Sequence, residues 1–187
     1  MRRAPAALAL TAALALAAPA SAAEKRLFVD GDSLAEGTRP YIPRELPSWR
    51  VRQSTKVSRH AYEGADVLRR VGSSLPRVIH VSLGTNDDPN DVEGFRDAIR
   101  EVMRVAGSRR CVVWANIVRP PYRHVSYRGY NRALASEAER RDNLRVVNWV
   151  RMVRKHREWL SGDGVHVSAE GYRARAKAVA RAVRLCR

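Results

Sequence analysis

Cysteine is nearly missing from this chain. Cys111 and Cys186 are the two in 187 residues, with neither a CxxC pair nor a cluster at metal-ligand spacing. No metal site is therefore expected. Glycine-rich phosphate loops are absent as well: Gly31 and Gly84 stand alone, outside any GxGxxG or GxxxxGKS/T pattern, so no nucleotide cofactor is implied. Internal repeats, low-complexity tails and a second domain are also lacking.

Acidic residues are scarce, 19 against 35 lysines and arginines, and the net charge is +16. Such a balance predicts attraction to polyanions. Yet there is no zinc-finger spacing, RNA-binding signature or aromatic-interleaved basic ribbon, so specific nucleic-acid binding is not expected. The basic residues are spread along helical stretches, as in Arg173, Arg175, Lys177, Arg181 and Arg184. A solvated basic surface and binding to a polyanion, whether an anionic cell-wall polymer, lipid headgroups or an acidic polysaccharide, are both open readings.

No apolar run reaches the roughly 20 residues needed to span a bilayer. What stands at the N-terminus is Arg2-Arg3, an alanine-rich stretch from Ala6 to Ala18, and Pro19-Ala20-Ser21-Ala22. That order of charged, apolar and small residues is a secretory signal, expected over residues 1–22, and it ranks well above an uncleaved anchor. Cleavage after Ala22 removes two arginines and leaves 165 of the 187 residues, at a charge of +14. The remaining residues 23–187 suffice for one domain with a sizeable core. The expected location is extracytoplasmic, in a bacterial periplasm or cell wall, and export makes a disulfide feasible.

Against these absences stand three short segments in order. Gly31-Asp32-Ser33-Leu34 follows the apolar run Leu27-Phe28-Val29; Gly84-Thr85-Asn86-Asp87 and Asp163-Gly164-Val165-His166 come later. A serine hydroxyl needs a base to become a nucleophile, and a tetrahedral oxyanion needs preorganised donors. Asp163 and His166, three apart in a glycine-containing loop, allow the carboxylate to turn back on the imidazole and fix its tautomer. Each tetrapeptide alone is a common turn or loop sequence. Three in this order are not.

Together the segments resemble the blocks of the GDSL, or SGNH, hydrolase family, over nearly the whole mature chain. The resemblance implies that Ser33 is the nucleophile, His166 the base and Asp163 its orienting partner. It also implies an oxyanion hole formed by the Ser33 N–H, the Asn86 amide and a third N–H. The family has glycine at that third position; Ser58 stands there here, within Lys56-Val57-Ser58-Arg59-His60, and Gly64 is the alternative. A position needing positive φ would be strained by the serine side chain.

Strands are expected at Leu27–Asp30, Trp49–Gln53, Val78–Leu83, Cys111–Val118 and Arg145–Trp149, with His80 as a satisfied interior or sheet-edge histidine. Helical spacing relates Val92, Phe95, Ile99, Val102, Met103 and Ala106, with Asn90 and Glu93 as a capping pair. A second helix follows Pro120-Pro121 through Tyr127, Tyr130, Leu134 and Ala138, and a last one runs from about Ser168 to Leu185. Residues 37–47, with three prolines, read as irregular. Alternating strands and helices imply an α/β/α sandwich on a parallel sheet. The resemblance adds five strands in the flavodoxin-like order 2-1-3-4-5. Sites in such sheets lie beyond the carboxyl ends of the strands. Cys111, opening a strand, and Cys186, closing the last helix, then both fall at the opposite end and can meet.

The expected activity is cofactor-free hydrolysis of a short acyl ester through an acyl-serine, by a monomer. The stretch Trp114–Pro120 and the run Asp163–Tyr172 resemble the extracytoplasmic SGNH domains of cell-wall O-acyltransferases, which favours an O-acetylated polysaccharide or peptidoglycan as substrate. Acetyl transfer, lipid ester hydrolysis and a non-catalytic polyanion-binding module are the rivals. N-terminal sequencing of exported protein should find Ala23 first; retention of Arg2-Arg3 would overturn the signal assignment.

Overall fold

The computed structural model describes residues 24–186, so the expected signal peptide lies outside the described residues. Five parallel strands form one sheet: β1 Lys25–Gly31, β2 Trp49–Thr55, β3 Val78–Ser82, β4 Cys111–Ala115 and β5 Leu144–Val147. Their order is β2-β1-β3-β4-β5, as expected. Seven α-helices accompany them: α1 Ser33–Thr38, α2 Ile42–Glu45, α3 Ala61–Val71, α4 Val92–Ala106, α5 Arg128–Glu139, α6 Trp149–Lys155 and α7 Ala169–Arg184.

Alternation along the strands makes the three layers. Phe28, Ile79, Val81, Val112 and Trp114 point to one face and pack on Leu68 of α3, Phe95, Ile99 and Val102 of α4, and Leu134 of α5. Their neighbours Leu27, Val29, Val78, Val113 and Ala115 point to the other, against Ile42 of α2 and Ala176, Val179 and Val183 of α7. Strands buried on both faces need continuous apolar runs. His80 and Ser82 are the polar exceptions within β3; His80 is 1% exposed, and its Nδ1 lies 2.9 Å from the Val113 carbonyl oxygen. Burial pushes its pKa down to about 4, which makes it a neutral interior histidine.

Several boundaries differ from the sequence reading, each for a local reason. β4 stops at Ala115 instead of Val118 because the Asn131 side chain takes over both backbone groups of Ile117, at 2.8 and 2.9 Å. β5 ends at Val147 because the Asn148 side chain caps α6, accepting from the Arg151 N–H at 3.0 Å, so Trp149 is helical. The cap of α4 is Asp91, which accepts from the Gly94 N–H at 2.9 Å; Asn90 bonds to Asp88 instead. Residues 37–47 are not wholly irregular, since α1 extends to Thr38 and Pro43 sits in the first turn of α2, where its missing N–H costs nothing.

Cys111 and Cys186 are joined in a disulfide with Cα atoms 5.7 Å apart, linking the start of β4 to the end of α7 across 75 residues. Closing a loop of that length contributes about 4 kcal/mol in the chain-entropy treatment. Urea unfolding with and without reductant should show a loss of that order, and superimposable curves would contradict it.

Candidate active site

All candidate groups lie at the carboxyl rim of the sheet. Ser33 follows β1 as the first residue of α1, Ser58 follows β2, Asn86 follows β3, and His166 precedes α7. Asp32 caps α1 through its carboxylate, which accepts from the Leu34 N–H at 2.9 Å. That cap leaves the Ser33 N–H, in the first helical turn, without an intrahelical partner.

The loop before α7 is built by its own side chain. Asp163 Oδ1 accepts from the Val165 and His166 N–H groups at 2.9 and 3.0 Å, folding the chain back on itself. Gly164 makes this turn at φ 67°, and a Cβ there would come within 2.7 Å of Pro120 Cγ. The fold-back sets His166 Nδ1 2.6 Å from Asp163 Oδ2 and His166 Nε2 2.9 Å from Ser33 Oγ. The hydrogen bond from His166, followed by that from the Val165 N–H, pushes the Asp163 pKa down to about 2. The carboxylate is thus ionised wherever histidines titrate.

Asn86 is held from three sides. Its Nδ2 reaches Asp32 Oδ2 at 3.3 Å and the Arg59 carbonyl oxygen at 3.4 Å, while Arg119 Nη1 lies 3.5 Å from its Oδ1 and 2.7 Å from the Thr85 carbonyl oxygen. Both contacts of Nδ2 are long, so an anionic oxygen in the cavity can compete for one of its protons. Beneath it, Asp32 is fully buried, and burial pushes its pKa up to about 6 against the opposing charge of Arg175. Arg175 is itself buried, donates to Ser82 Oγ at 3.0 Å and lies over the Trp149 ring; burial lowers its pKa to about 10. Asp30 has a direct ion pair with Arg59, yet burial still raises its pKa to about 7.

Ser33, Ser58, Asn86, Arg119, Asp163 and His166 line one open cavity of about 330 Å³, with Tyr122 and Pro120 among its other walls. Ser58 adopts φ 60°, the left-handed conformation that a glycine would take without strain. Its N–H has no hydrogen-bond partner among the described residues. Gly64 lies elsewhere, inside α3, where its N–H donates to the His60 carbonyl at 3.2 Å. Arg119 is the residue that sequence reasoning missed: its segment stood out, but only the fold brings its guanidinium to Asn86.

Fold and rim geometry together are those of the acylhydrolase class of α/β enzymes. The chain belongs to the GDSL-like lipase/acylhydrolase family, whose pattern matches residues 30–174. No curated protein sequence matches it. Among solved structures it is similar to the C-terminal catalytic domain of Streptococcus pneumoniae peptidoglycan O-acetyltransferase A, with 18% identity, TM-score 0.68, and coverage of 87% of this chain and 92% of that one. A GDSL-like lipase from Bacteroides thetaiotaomicron aligns with 18% identity and TM-score 0.69 over 91% and 92%. A Clostridium thermocellum family 3 carbohydrate esterase aligns with 17% identity and TM-score 0.62 over 84% and 92%. At these identities the likeness establishes a shared fold.

Substitution separates the two candidate third donors. Ser58→Gly keeps the N–H and relieves a left-handed serine, so stability should hold or rise by up to about 1 kcal/mol, with turnover retained. At Gly64 an added Cβ would lie 2.1 Å from Leu83 Cδ1 and 2.6 Å from Asp30 Oδ2. Gly64→Ala should therefore lower stability by about 1–3 kcal/mol through overpacking. Thermal unfolding beside esterase assays reads both, and a Ser58→Gly protein that folds but is inert would contradict the expectation.

Proposed function

We propose that the protein is an exported serine esterase that removes short acyl groups, chiefly O-acetyl, from a polysaccharide or peptidoglycan. The observation that carries this reading is the continuous hydrogen-bond chain from Asp163 through His166 to Ser33, opening on a ligand-sized cavity. His166 Nε2 takes the Ser33 proton as Oγ attacks the ester carbonyl carbon. The oxyanion is held by the Ser33 N–H, the Asn86 amide and the Ser58 N–H. As the C–O bond breaks, the leaving sugar alkoxide takes the proton back from His166. A water molecule then gives its proton to His166 and attacks the acyl-serine; the acid leaves and Ser33 Oγ recovers the proton.

Three observations support the finer points. The cavity is at the small end of ligand sites, which suits a short acyl group. Two proteins of the same fold are named for peptidoglycan O-acetyl transfer and carbohydrate ester cleavage. The Cys111–Cys186 bridge fits an oxidising, extracytoplasmic compartment, and no helix among the described residues is long and apolar enough to cross a membrane.

With p-nitrophenyl acetate, Ser33→Ala and His166→Ala should each remove most activity, and Asn86→Ala should lower kcat about 10²–10³-fold, the usual loss of one oxyanion donor. A fluorophosphonate should label Ser33. The Asp163 carboxylate, held down to about 2 by its hydrogen bonds, stays ionised and keeps its hold on the imidazole throughout the assay range. On O-acetylated polysaccharide, free acetate is the expected product. Acetylated sugar formed from an added acceptor would make the enzyme a transferase, and a preference for long acyl chains would overturn the polysaccharide reading.

A further inference from the structure

At the rim opposite Ser33, where the strands begin, two cavities adjoin. One of about 600 Å³ is lined by Lys25, Arg26, Trp49, Arg77 and Arg184 among others. The other, of about 310 Å³, is lined by Arg26, Arg50 and Arg52 with Pro76, and shares Arg26 and Pro76 with the first. Six cations therefore face one carboxylate, Glu24, which lies 3.7 Å from Arg50. Arg184 donates to the Glu45 carbonyl, and Arg52 covers the Phe28 ring at 4.8 Å. The side chains of Lys25, Arg26 and Arg77 have neither an ion pair nor a hydrogen bond among the described residues.

The register makes this arrangement costly. Arg26 pairs directly with Arg50, and Leu27 pairs with Val78, so Arg77 stands in the same row one residue before β3. Three arginines are thus abreast on neighbouring strands about 4.8 Å apart, and like charges placed so are destabilising. Protection of an exposed edge against pairing accounts for Arg50 and Arg52, which are on the edge strand β2. It does not account for Arg26, on the interior strand β1, or for Arg77, one residue before the interior strand β3.

We propose that this amino-terminal rim is a non-catalytic binding site for a carboxylate-bearing polysaccharide. Guanidinium groups in a row match carboxylates repeated along a chain, and each can engage one through two N–H donors. Half-buried Trp49, packed on the apolar core and lining the larger cavity, supplies an apolar wall against which a sugar ring can rest. A single-stranded nucleic acid would need stacking surfaces for successive bases, and Trp49 is the one aromatic residue lining these cavities. A phosphodiester-linked polyol has no ring for Trp49 to meet. The site is independent of the chemistry at Ser33, so binding tests it whatever the enzyme hydrolyses.

The test is fluorescence anisotropy of labelled oligogalacturonate with the full chain in about 150 mM salt, where long-range attraction is largely screened. Arg26→Gln/Arg77→Gln should weaken binding about tenfold or more, whereas the control Arg132→Gln/Arg151→Gln, exposed residues of α5 and α6, removes the same charge and should cost less than about twofold. Neutral galacto-oligosaccharide should not compete. Thermal melts check the fold of each variant. If the rim pair melts early, Arg77→Gln alone should still weaken binding about threefold. Equal loss in both pairs would reduce the effect to overall charge and overturn the proposal, as would equal or tighter binding of a glycerol-phosphate polymer or of polyuridylate.

Discussion

The whole molecule depends on five strands running the same way. A parallel sheet places every strand's carboxyl end on one rim and every amino end on the other, with helices forced to carry the chain back across its faces. Residues dispersed from 33 to 166 therefore need only follow or precede the right element to meet. Ser33, Ser58, Asn86 and Arg119 leave β1, β2, β3 and β4 in turn, and the loop holding Asp163 and His166 delivers the chain into α7. The same constraint gathers Arg26, Arg50 and Arg77, whose spacing in sequence shows no cluster.

Beneath the carboxyl rim the protein keeps charges where an apolar core would be cheaper. Burial raises both Asp30 and Asp32, and Arg59 and Arg175 offset only part of that cost. A buried pair of this kind is weak evidence for stability. Its use here is geometric. Asp32 simultaneously caps α1 and receives the Asn86 amide, so one carboxylate fixes both the serine and the proposed oxyanion donor. Arg59 is the direct partner of Asp30, so removing either charge would leave the other buried and unpaired, whereas Arg175 acts on Asp32 by its field while donating to Ser82 Oγ from α7.

Much of this was legible beforehand. Strand positions follow from apolar runs, and the order of three short motifs pointed to a fold that brings them together. At Ser58 the sequence left open whether a positive φ was needed, and the structure gives that residue φ 60°. What escaped reading was decided by single side chains reaching across the sequence. Asn131 ends β4 from 14 residues away, and Asp91 rather than its neighbour Asn90 captures the start of α4. Neither choice leaves a trace in periodicity, because both residue types suit either role. Arg119 and the arginine row were hidden in the same way: in a chain with 35 basic residues, nothing local marks the few that share a rim.

Placing the two rims at opposite ends has a mechanical consequence. Strands of five to seven residues separate the arginine row from Ser33 by roughly 20 Å, at about 3.3 Å per residue. A ligand held at one rim cannot occlude the other. A polymer long enough to pass round the sheet could be held at the arginines while its acyl groups visit the serine, and this tethering raises the effective ester concentration without a stronger contact at the catalytic cavity. Tight binding inside that cavity would instead stabilise substrate and transition state alike and add nothing to turnover once substrate is plentiful. On the proposed reading, retention by the arginine rim would leave the binding energy around Ser33 free to act on the oxyanion.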